Sequence, residues 1–439
     1  MESIWKKTAT IAPREPLQGE VQTEAAVIGG GMAGVLIAAF LNKEGIETVI
    51  LEADRIGSGQ TGNTTAKIAI SHHVGYDSMI EKYGDSYARQ YAKANQEAIE
   101  VYAQIIKEKE LACEFRRCPS YLYTQTDAEV IEREADAASR AGISVELTTQ
   151  TELPLSVKRA LRFDDQATFH PLLFLKEIAE GITIYEKTRV EDVKGNDIFT
   201  SQGKVTAKHI IFACHFPFLN IPGYYFMRMH QERSYVIALE GVPLMDGMYL
   251  GIDHSGLSFR QSGNYMLLGG GGHRTGENKY GGSYESLRTK SKTFWPQSKE
   301  VAAWSAQDCM TLDGIPYIGR YAASAPDWYI ATGFGKWGMT SAMISALLIR
   351  DLIVGRESPY EEIFTPQRFH FSESAKNMVD EGMHAAKGLA KTGETRCRHM
   401  GCQVEWNPDE QSYDCPCHGS RYSKDGELLD GPAQEGLKL

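Results

Sequence analysis

Residues 25–52 read AAVIGGGMAGVLIAAFLNKEGIETVILE. A short apolar run at 25–28 leads into glycines at 29, 30, 31 and 34, and an apolar helical pattern then continues to Gly45. A second apolar run, at 48–51, ends in Glu52. A glycine-rich turn between a strand and a helix, with an acid after the next strand, is the pattern of a dinucleotide site. The stretch therefore predicts a Rossmann-like βαβ unit.

Each part of this pattern has a physical role in dinucleotide binding. Gly29 permits a tight turn, Gly31 lets a pyrophosphate approach the backbone, and Gly34 lets the helix pack closely on the strand. The N-terminus of the helix offers N–H groups and positive potential to the phosphates. Glu52 would accept hydrogen bonds from a ribose diol, which disfavours the 2′-phosphate of NADP. A glycine-rich turn without a ligand is the alternative, but the surrounding strands and helix argue against it.

Three further segments bear on the choice between NAD and FAD. They are GSGQTGNTTAK at 57–67, DGIPYIG at 313–319 and IATGFGKWGMT at 330–340. The first is similar to the loop around the flavin side of FAD in the D-amino-acid oxidase/glycine oxidase-like superfamily. The other two resemble that superfamily's Asp-Gly-x-Pro-x-Ile-Gly signature and its final strand, loop and helix. The resemblance covers about residues 20–365 and implies FAD as the cofactor.

The fingerprint and this resemblance together predict the FAD-binding residues. In the superfamily the final loop and helix abut the isoalloxazine, where Lys336 and the helix dipole would stabilise negative charge on reduced flavin. The tetraglycine at 269–272 is not followed by a helical pattern, so we expect no second nucleotide site there. A pyridine nucleotide reductant is disfavoured, not excluded. The predicted residues are Gly29, Gly30, Gly31, Met32, Ala33, Gly34, Glu52, Thr61, Thr64, Thr65, Ala66, Val190, Gly333, Gly335, Lys336, Met339 and Thr340.

The C-terminal residues carry a second motif, CRHMGC at 397–402 and CPCHGSRY at 415–422. Cys-x-His and Cys-x-x-His spacing suits a 2Fe–2S centre in which one iron takes two thiolates and the other takes two imidazoles. We assign Cys397 and Cys415 to one iron, and His399 and His418 to the other; this is a Rieske centre. Zinc is the alternative, but its sites usually combine Cys-x(2–4)-Cys with His-x(3–5)-His, and neither half fits.

The second cluster loop resembles the Rieske proteins of cytochrome bc complexes. That resemblance implies a disulfide between Cys402 and Cys417, although such a bond is unusual in the cytosol unless the loops shield it. It also implies hydrogen bonds from Ser420 and Tyr422 to cluster sulfurs, which raise the reduction potential. Gly431-Pro432-Ala433 is similar to the proline loop that covers the cluster in that family.

The predicted fold class is α/β (α+β), with three parts along the chain. An FAD-dependent oxidoreductase occupies residues 1–370, a helical linker 371–392, and a truncated Rieske module with a small β-sheet 393–439. Apolar residues at helical spacing over 372–389 predict the linker helix, and a module this small should lean on the larger domain. By resemblance, a Rossmann-like FAD-binding domain comprises about 20–75, 180–225 and 305–365, and an inserted β-sheet substrate domain about 85–180 and 225–300.

Composition limits the classes of partner. The chain has 439 residues and a net charge of −11, without a basic stripe, so we expect no nucleic-acid partner. No apolar run approaches the roughly 18 residues of a membrane span, so we expect no transmembrane segment. The N-terminal twenty residues are polar and lack the apolar core of a signal peptide, which makes the cytoplasm the expected location.

Substrate recognition leaves the fewest signals in the sequence. Arg260, His273 and Arg274 are candidates for binding a substrate carboxylate, because a planar guanidinium suits bidentate contact; each could equally be a structural cation. Lys336 is a further catalytic candidate, and His230 and Tyr235 are weaker ones. His72-His73 follows the flavin loop, near where some relatives attach FAD covalently; an ordinary pair of loop histidines is the favoured interpretation. No base residue is assigned.

These signals together predict a flavin and iron–sulfur oxidoreductase. We expect an FAD-dependent dehydrogenase or oxidase that acts on a C–N bond of an amine or amino acid. Its electrons would pass one at a time from flavin to the Rieske cluster, and from there to an unknown acceptor. The alternative is a redox relay or sensor that exchanges electrons with protein partners and has no dedicated small-molecule substrate.

Overall fold

The computed structural model describes residues 2–73, 75–254, 256–368, 393 and 395–438. The linker predicted at 371–392, with its helix over 372–389, lies outside these residues. None of the helices in the described part of the chain has both the length and the apolar character needed to cross a bilayer.

The described part of the chain contains strands and helices in mixed order. The strands are β1 (Gly19–Ile28), β2 (Thr48–Leu51), β3 (Lys67–Ile68), β4 (Arg116–Thr124), β5 (Val145–Thr148), β6 (Arg159–Thr168), β7 (Thr183–Tyr185), β8 (Val190–Lys194), β9 (Asp197–Thr200), β10 (Gly203–Phe212), β11 (Met229–Glu240), β12 (Met248–Gly251), β13 (Ser258–Ser262), β14 (Tyr265–Arg274), β15 (Lys299–Thr311), β16 (Tyr317–Ala322), β17 (Ala325–Thr332), β18 (Glu405–Asn407), β19 (Ser412–Asp414), β20 (Arg421–Ser423) and β21 (Leu428–Asp430). The helices are α1 (Ile4–Thr8), α2 (Met32–Lys43), α3 (Tyr76–Tyr83), α4 (Asp85–Glu108), α5 (Ala128–Arg140), α6 (Pro171–Ile178), α7 (Ser283–Phe294), α8 (Gly338–Val354) and α9 (Glu361–Phe364).

The first sheet contains the predicted βαβ unit. Its strands run in the order β16-β17-β10-β1-β2-β7, with β8 and β9 attached beside β10. β1 pairs in parallel with both β2 and β10. The end of β1 and all of β2 are buried, as expected for parallel strands between helices. A Cβ atom on Gly34 would lie 1.9 Å from the Gly29 carbonyl oxygen, so only glycine permits this packing of α2 on β1.

The second sheet is larger and runs in the order β15-β11-β14-β13-β12-β4-β6-β3, with β5 beside β6. β11 and β15 form a long antiparallel pair that extends from Met229 opposite Thr311 to Glu240 opposite Lys299. This sheet reaches past the bound at 300 that the sequence predicted, because β15 is a single strand of thirteen residues. The tetraglycine lies inside β14 and pairs with β11, so it forms part of the sheet and not a phosphate-binding turn.

The C-terminal module is a four-stranded antiparallel sheet in the order β18-β19-β20-β21. Its own apolar core is small, consisting of four cysteines with Val404, Tyr422 and Ala433. A core of this size gives little stability by itself. Contacts with the main body, described below, are therefore important for this module.

Candidate active site and cluster site

A cavity of about 440 Å³ lies between the carboxyl ends of the strands of the first sheet and the second sheet. This is within the range of roughly 300–1,000 Å³ that is usual for ligand and cofactor sites. Thirteen of the predicted FAD-binding residues line it: Gly29, Gly31, Met32, Ala33, Glu52, Thr61, Thr64, Thr65, Val190, Gly333, Gly335, Lys336 and Met339. Gly30, Gly34, Ala66 and Thr340 do not line it.

The nucleotide end of the cavity has the geometry that a pyrophosphate and ribose require. Residues 31–33, at the start of α2, line the cavity, and Met32 N donates to Thr61 Oγ1 at 2.9 Å. The first turn of a helix offers further N–H groups and positive potential to a phosphate. Glu52 accepts hydrogen bonds from Gly30 N at 2.6 Å and from Asp54 N at 2.8 Å. Burial raises the pKa of the Glu52 carboxyl. These residues fit a bound dinucleotide.

The other end of the cavity is formed by the loop between β17 and α8. Gly333, Gly335 and Lys336 all have positive φ angles, and a Cβ on Gly333 would lie 2.3 Å from Thr311 Cγ2. Gly335 N donates to Cys309 O at 2.9 Å, which fixes the loop on β15. The loop brings Lys336 Nζ to 2.7 Å from Glu232 Oε2. A hydrogen bond from His230, together with Lys336, lowers the pKa of Glu232 to about 2.

Strands β11 and β15 supply the wall of the cavity beside this loop. Ser234 and Val236 from β11, and Ala306 and Asp308 from β15, all line it. They share one face because side chains alternate along a strand, and Ser234 lies opposite Ala306. Burial raises the pKa of Asp308. Asp308 was not among the candidates from the sequence.

Arg260 does not line this cavity. It is buried, and its guanidinium donates to Thr65 O at 2.6 Å and to Phe169 O at 2.7 Å. These bonds and its position over the Trp5 ring give Arg260 a structural environment. The carboxylate-binding role that we expected for Arg260 has no support from this geometry.

His273 and Arg274 also lie away from the cavity. His273 Nε2 is 3.0 Å from Tyr235 OH, and its Nδ1–H donates to Arg274 O at 2.7 Å. Arg274 Nε donates to Pro416 O at 3.1 Å, so this side chain reaches the C-terminal module. Of the four catalytic candidates, only Lys336 lines the cavity.

The histidine pair after the flavin loop has structural partners. His72 Nε2–H donates to Ala69 O at 2.7 Å, and its Nδ1 accepts from Tyr91 OH at 2.7 Å. Burial lowers the pKa of His72 to about 3, so its imidazole is neutral at physiological pH. His72 and His73 line a smaller second cavity together with Trp337.

The C-terminal module brings together the four predicted cluster ligands. The imidazole centroids of His399 and His418 are 4.9 Å apart and the rings are nearly perpendicular. Hydrogen bonding from the Cys415 thiol, with further bonds from Tyr422 and Ser420, lowers the pKa of Cys397 to about 6 against the effect of burial. The Tyr422 hydroxyl lies 3.2 Å from Cys397 Sγ. A thiol that deprotonates readily is suited to metal ligation.

The hydrogen bonding of His399 fits a metal ligand. Its Nε2–H donates to the Asn220 Oδ1 atom of the main body at 2.9 Å. A neutral imidazole has one N–H, so this bond leaves Nδ1 as the atom with the free lone pair. Nδ1 is buried and has no hydrogen-bond partner in the described part of the protein. Burial lowers the pKa of His399 to about 4, which favours the neutral form that binds iron.

The remaining two cysteines of the module are joined by a disulfide, Cys402–Cys417. The sulfur atoms of Cys402, Cys415 and Cys417 lie within 4.8 Å of one another. Because two of these sulfurs are bonded to each other, the trio offers only the Cys415 thiolate as a ligand. It therefore does not form a zinc site.

The cluster loop with His418 and Gly419 lies on the face of the β11–β15 pair opposite to the one that carries Ser234 and Asp308. Gln231 Nε2 donates to His418 O at 2.6 Å, and Gln307 Nε2 donates to Gly419 O at 2.8 Å. Gly419 has a φ of +84°, and a Cβ there would lie 2.7 Å from Gln231 Cβ. The cluster loop is thus packed directly on the strand pair, as the small core of the module leads us to expect.

A buried ionic network also joins the two parts. Arg233 of β11 is only 1% exposed, and its guanidinium lies 3.3 Å from Glu410 and 3.8 Å from Asp414 of the module. Arg421 lies 3.2 Å from Glu410 and 3.3 Å from Asp414. Although burial opposes it, the charges of Arg233 and Arg421 lower the pKa of Asp414.

The histidine edge of the module and its proline loop both face the main body. The His418 ring centroid is 6.2 Å from that of Phe216, which lines the cavity, and 6.0 Å from that of Phe226. Residues 429–434, which include Gly431-Pro432-Ala433, also line the cavity. One cavity therefore has walls from the Rossmann-like sheet, the second sheet and the module.

A dinucleotide site and a two-Cys, two-His centre in one chain define a class of protein, the oxidoreductases that combine a flavin with an iron–sulfur cluster. The model of the family described as FAD dependent oxidoreductase matches residues 24–352, and that of the Rieske [2Fe-2S] domain matches residues 377–439. The chain belongs to the FAD dependent oxidoreductase family and carries a C-terminal Rieske domain. Its cofactors are FAD and a 2Fe–2S cluster, which confirms both cofactor predictions and the predicted fold class.

Similar proteins agree with this assignment. The putative Rieske 2Fe-2S iron-sulfur protein YhfW of Bacillus subtilis (strain 168) is 35% identical over 100% of this chain and 97% of its own length. Gamma-glutamylputrescine oxidoreductase of Escherichia coli (strain K12) is 25% identical over 78% of this chain and 86% of its own. The crystal structure of glycine oxidase from Geobacillus kaustophilus matches in fold, with a TM-score of 0.68 and 18% identity over 80% of this chain and 100% of that one.

Proposed function

We propose that this enzyme oxidises the C–N bond of an amine or amino acid and passes the electrons, one at a time, to the Rieske cluster. Support for the substrate class comes from similar proteins: one is named for gamma-glutamylputrescine, and one of the same fold is a glycine oxidase. Support for the electron route comes from the position of the C-terminal module. The predicted location in the cytoplasm stays a prediction from the sequence.

The main support for the electron route is that the β11–β15 strand pair contacts the cavity on one face and the cluster loop on the other. Ser234 and Asp308 face the cavity, whereas Gln231 and Gln307, on the same two strands, bond to the loop of His418. One layer of backbone therefore separates the cavity wall from the cluster loop. Phe216 contacts both sides, since it lines the cavity and packs on His418. This arrangement favours electron transfer within one chain.

The residues that would hold each group follow from the geometry. FAD would lie with its pyrophosphate at the start of α2, its ribose at Glu52 and its ring end beside the loop of Gly333 to Lys336. Iron would be held by Cys397 and Cys415 on one side, and by His399 and His418 on the other. Asn220 would orient His399 from the main body.

The electron count of the reaction is consistent with two cofactors. Conversion of a C–N single bond to C=N releases two electrons and two protons from the substrate. Bound FAD supplies an acceptor for the electron pair, and a 2Fe–2S cluster accepts a single electron. Complete turnover therefore requires two transfers to a one-electron acceptor outside the chain, which we have not identified.

Anaerobic substrate screening tests the proposal. Amines and amino acids are added to the oxidised protein, and flavin bleaching is followed by absorbance while cluster reduction is followed by electron paramagnetic resonance. We expect at least one compound to reduce both centres, with the flavin first. In His418→Ala the same compound should bleach the flavin with no cluster signal. If no compound in the panel bleaches the flavin, the proposed oxidation is wrong and the relay alternative is favoured.

A further inference from the structure

We propose that the carboxylate of Asp308 binds the substrate's cationic nitrogen, so that the site selects an amine without a carboxylate beside the reacting carbon. This inference rests on the proposed function and makes it more specific. It replaces the three carboxylate-binding candidates from the sequence, Arg260, His273 and Arg274, none of which lines the cavity.

The position of Asp308 at the ring end of the cavity follows from its neighbours. It precedes Cys309, whose carbonyl oxygen accepts a hydrogen bond from Gly335 N in the final loop. It also lies opposite Glu232 in the β11–β15 register, and Glu232 pairs with Lys336. Asp308 is therefore beside the loop that the superfamily places against the isoalloxazine.

The carboxylate of Asp308 lacks a hydrogen-bond donor in the described part of the protein. Among the residues that the structure describes, none donates a hydrogen bond to it, although it faces the cavity. The charged or titratable groups that act on it electrostatically are Lys336, His215, Glu232 and Arg233. A partly desolvated acid without a donor is costly unless a ligand supplies one. A protonated amine supplies several N–H donors and a positive charge.

The basic side chains that line the cavity either form ion pairs or lie far from the ring end. Of the described lysines and arginines that line it, Lys336 pairs with Glu232 and Arg421 pairs with Glu410. The third, Arg189, follows Thr188, whose backbone N donates to Glu52 O at the nucleotide end. A substrate carboxylate at the ring end would meet Asp308 and would have to compete with Glu232 for Lys336. The charge pattern therefore favours a cationic substrate over an α-amino acid.

A pair of probes with the same shape and opposite charge tests this inference without turnover. tert-Butylammonium and pivalate each carry a tert-butyl group, and tert-butylammonium has no C–H bond on the carbon next to nitrogen. Their binding to the FAD-loaded, cluster-loaded protein is measured from the perturbation of the oxidised flavin spectrum. We expect tert-butylammonium to bind and pivalate to bind at least tenfold more weakly.

Variants identify the residue responsible. Asp308→Asn keeps the size of the side chain and removes its charge, and should weaken tert-butylammonium binding at least tenfold. Asp308→Glu should retain the preference for the cation. Asp136→Asn, at an exposed position on α5, should behave as the wild type. FAD content is measured for each protein, and if Asp308→Asn fails to load FAD, the preference of Asp308→Glu decides.

The outcomes separate this inference from the proposed function. If pivalate binds the wild type as tightly as tert-butylammonium, or if Asp308→Asn binds the cation unchanged, the inference is overturned. If the cation binds through Asp308 but no amine bleaches the flavin anaerobically, the inference about the ligand holds and the proposed oxidation fails.

Discussion

The side-chain amide of Gln231 donates a hydrogen bond to the main-chain oxygen of His418 at 2.6 Å. Both residues are buried, and the same amide also donates to Gly431 O at 3.2 Å. Its oxygen accepts a hydrogen bond from Gln307 Nε2 at 2.6 Å. One side chain of the flavin-binding body thus fixes the cluster loop and the proline loop of the Rieske domain together.

Replacement of this side chain should loosen the module. Gln231→Ala removes donors from two buried carbonyl groups and leaves Gln307 Nε2 without one of its acceptors, so we expect a loss of about 1–3 kcal/mol in the free energy of unfolding. Chemical denaturation measures this loss, and the rate of cluster reduction after flavin reduction should fall in the same variant. Gln150→Ala, at an exposed position, is the control. Equal stability of the two variants would contradict the interpretation of this contact.

Mutation of the buried ionic network at the interface should destabilise the protein more than mutation of a surface ion pair. Arg233→Met removes one of the two guanidinium groups beside the carboxylates of Glu410 and Asp414, and we expect destabilisation of about 3 kcal/mol or more. Arg116→Met removes a surface pair with Asp246, whose side chain is 72% exposed, and should cost at most about 1 kcal/mol. Denaturation midpoints of both variants test this difference, and similar midpoints would argue against a docked module.

Mutation of one cluster ligand should remove the iron and leave FAD bound. His418→Ala removes one imidazole from iron, so the purified protein should lose nearly all of its iron, about two atoms per chain. FAD should remain, because none of the predicted FAD-binding residues is changed. Iron analysis and flavin absorbance measure both, with His254→Ala at an exposed loop position as the control. Loss of FAD together with iron would mean that the module is needed for the integrity of the cavity.

The elements with strong local signals were predictable from the sequence. The bounds of β2 agree with the apolar run at 48–51. The glycine spacing predicted the βαβ unit because Gly34 has to pack against Gly29. These features depend on contacts between residues that are near in sequence.

The roles of some residues could not be predicted, because they depend on contacts between residues that are far apart in the sequence. Arg260 and Arg274 are polar side chains in strands, and only the fold directs one to backbone carbonyls and the other to the cluster loop. Asp308 has no special spacing, and its importance comes from the register of β15 against β11. Side chains alternate along this strand pair, with the cavity wall on one face and the loop of His418 on the other, and this could not be inferred before the pairing was known.

The glycine that brings α2 close to β1 should be irreplaceable. In Gly34→Ala the new Cβ would lie 1.9 Å from Gly29 O, so the helix has to move and the pyrophosphate site opens. We expect the variant to be purified without FAD or to misfold. Gly269→Ala, in β14 and outside the cavity lining, meets its nearest atoms at 3.5 Å, an ordinary contact distance, and should keep FAD. The flavin absorbance of each purified protein distinguishes them, and a flavin-loaded Gly34→Ala would contradict the packing argument.

The ionisation of Asp308 should reduce stability at neutral pH. Burial raises the pKa of this carboxyl in the folded protein above its ordinary value of 3.8, so the charged form is disfavoured by folding. The penalty is absent below the unfolded pKa, develops as pH rises between the two pKa values, and is complete above the folded pKa. Asp308→Asn carries no charge at any pH. We therefore expect this variant to be more stable than the wild type at pH 7, with a difference that shrinks towards pH 4.

Thermal denaturation of wild type and Asp308→Asn at pH 4 and pH 7, without amines, measures this difference. Lys336, His215 and Arg233 favour the charged carboxylate and Glu232 opposes it, so the sign depends on burial exceeding the attraction of the three basic groups. If the variant is instead less stable at pH 7, Asp308 is a partner in an ion pair and not an acid held ready for a ligand. If Asp308→Asn is more stable than the wild type and also binds tert-butylammonium more weakly, then Asp308 serves ligand binding at a cost in stability.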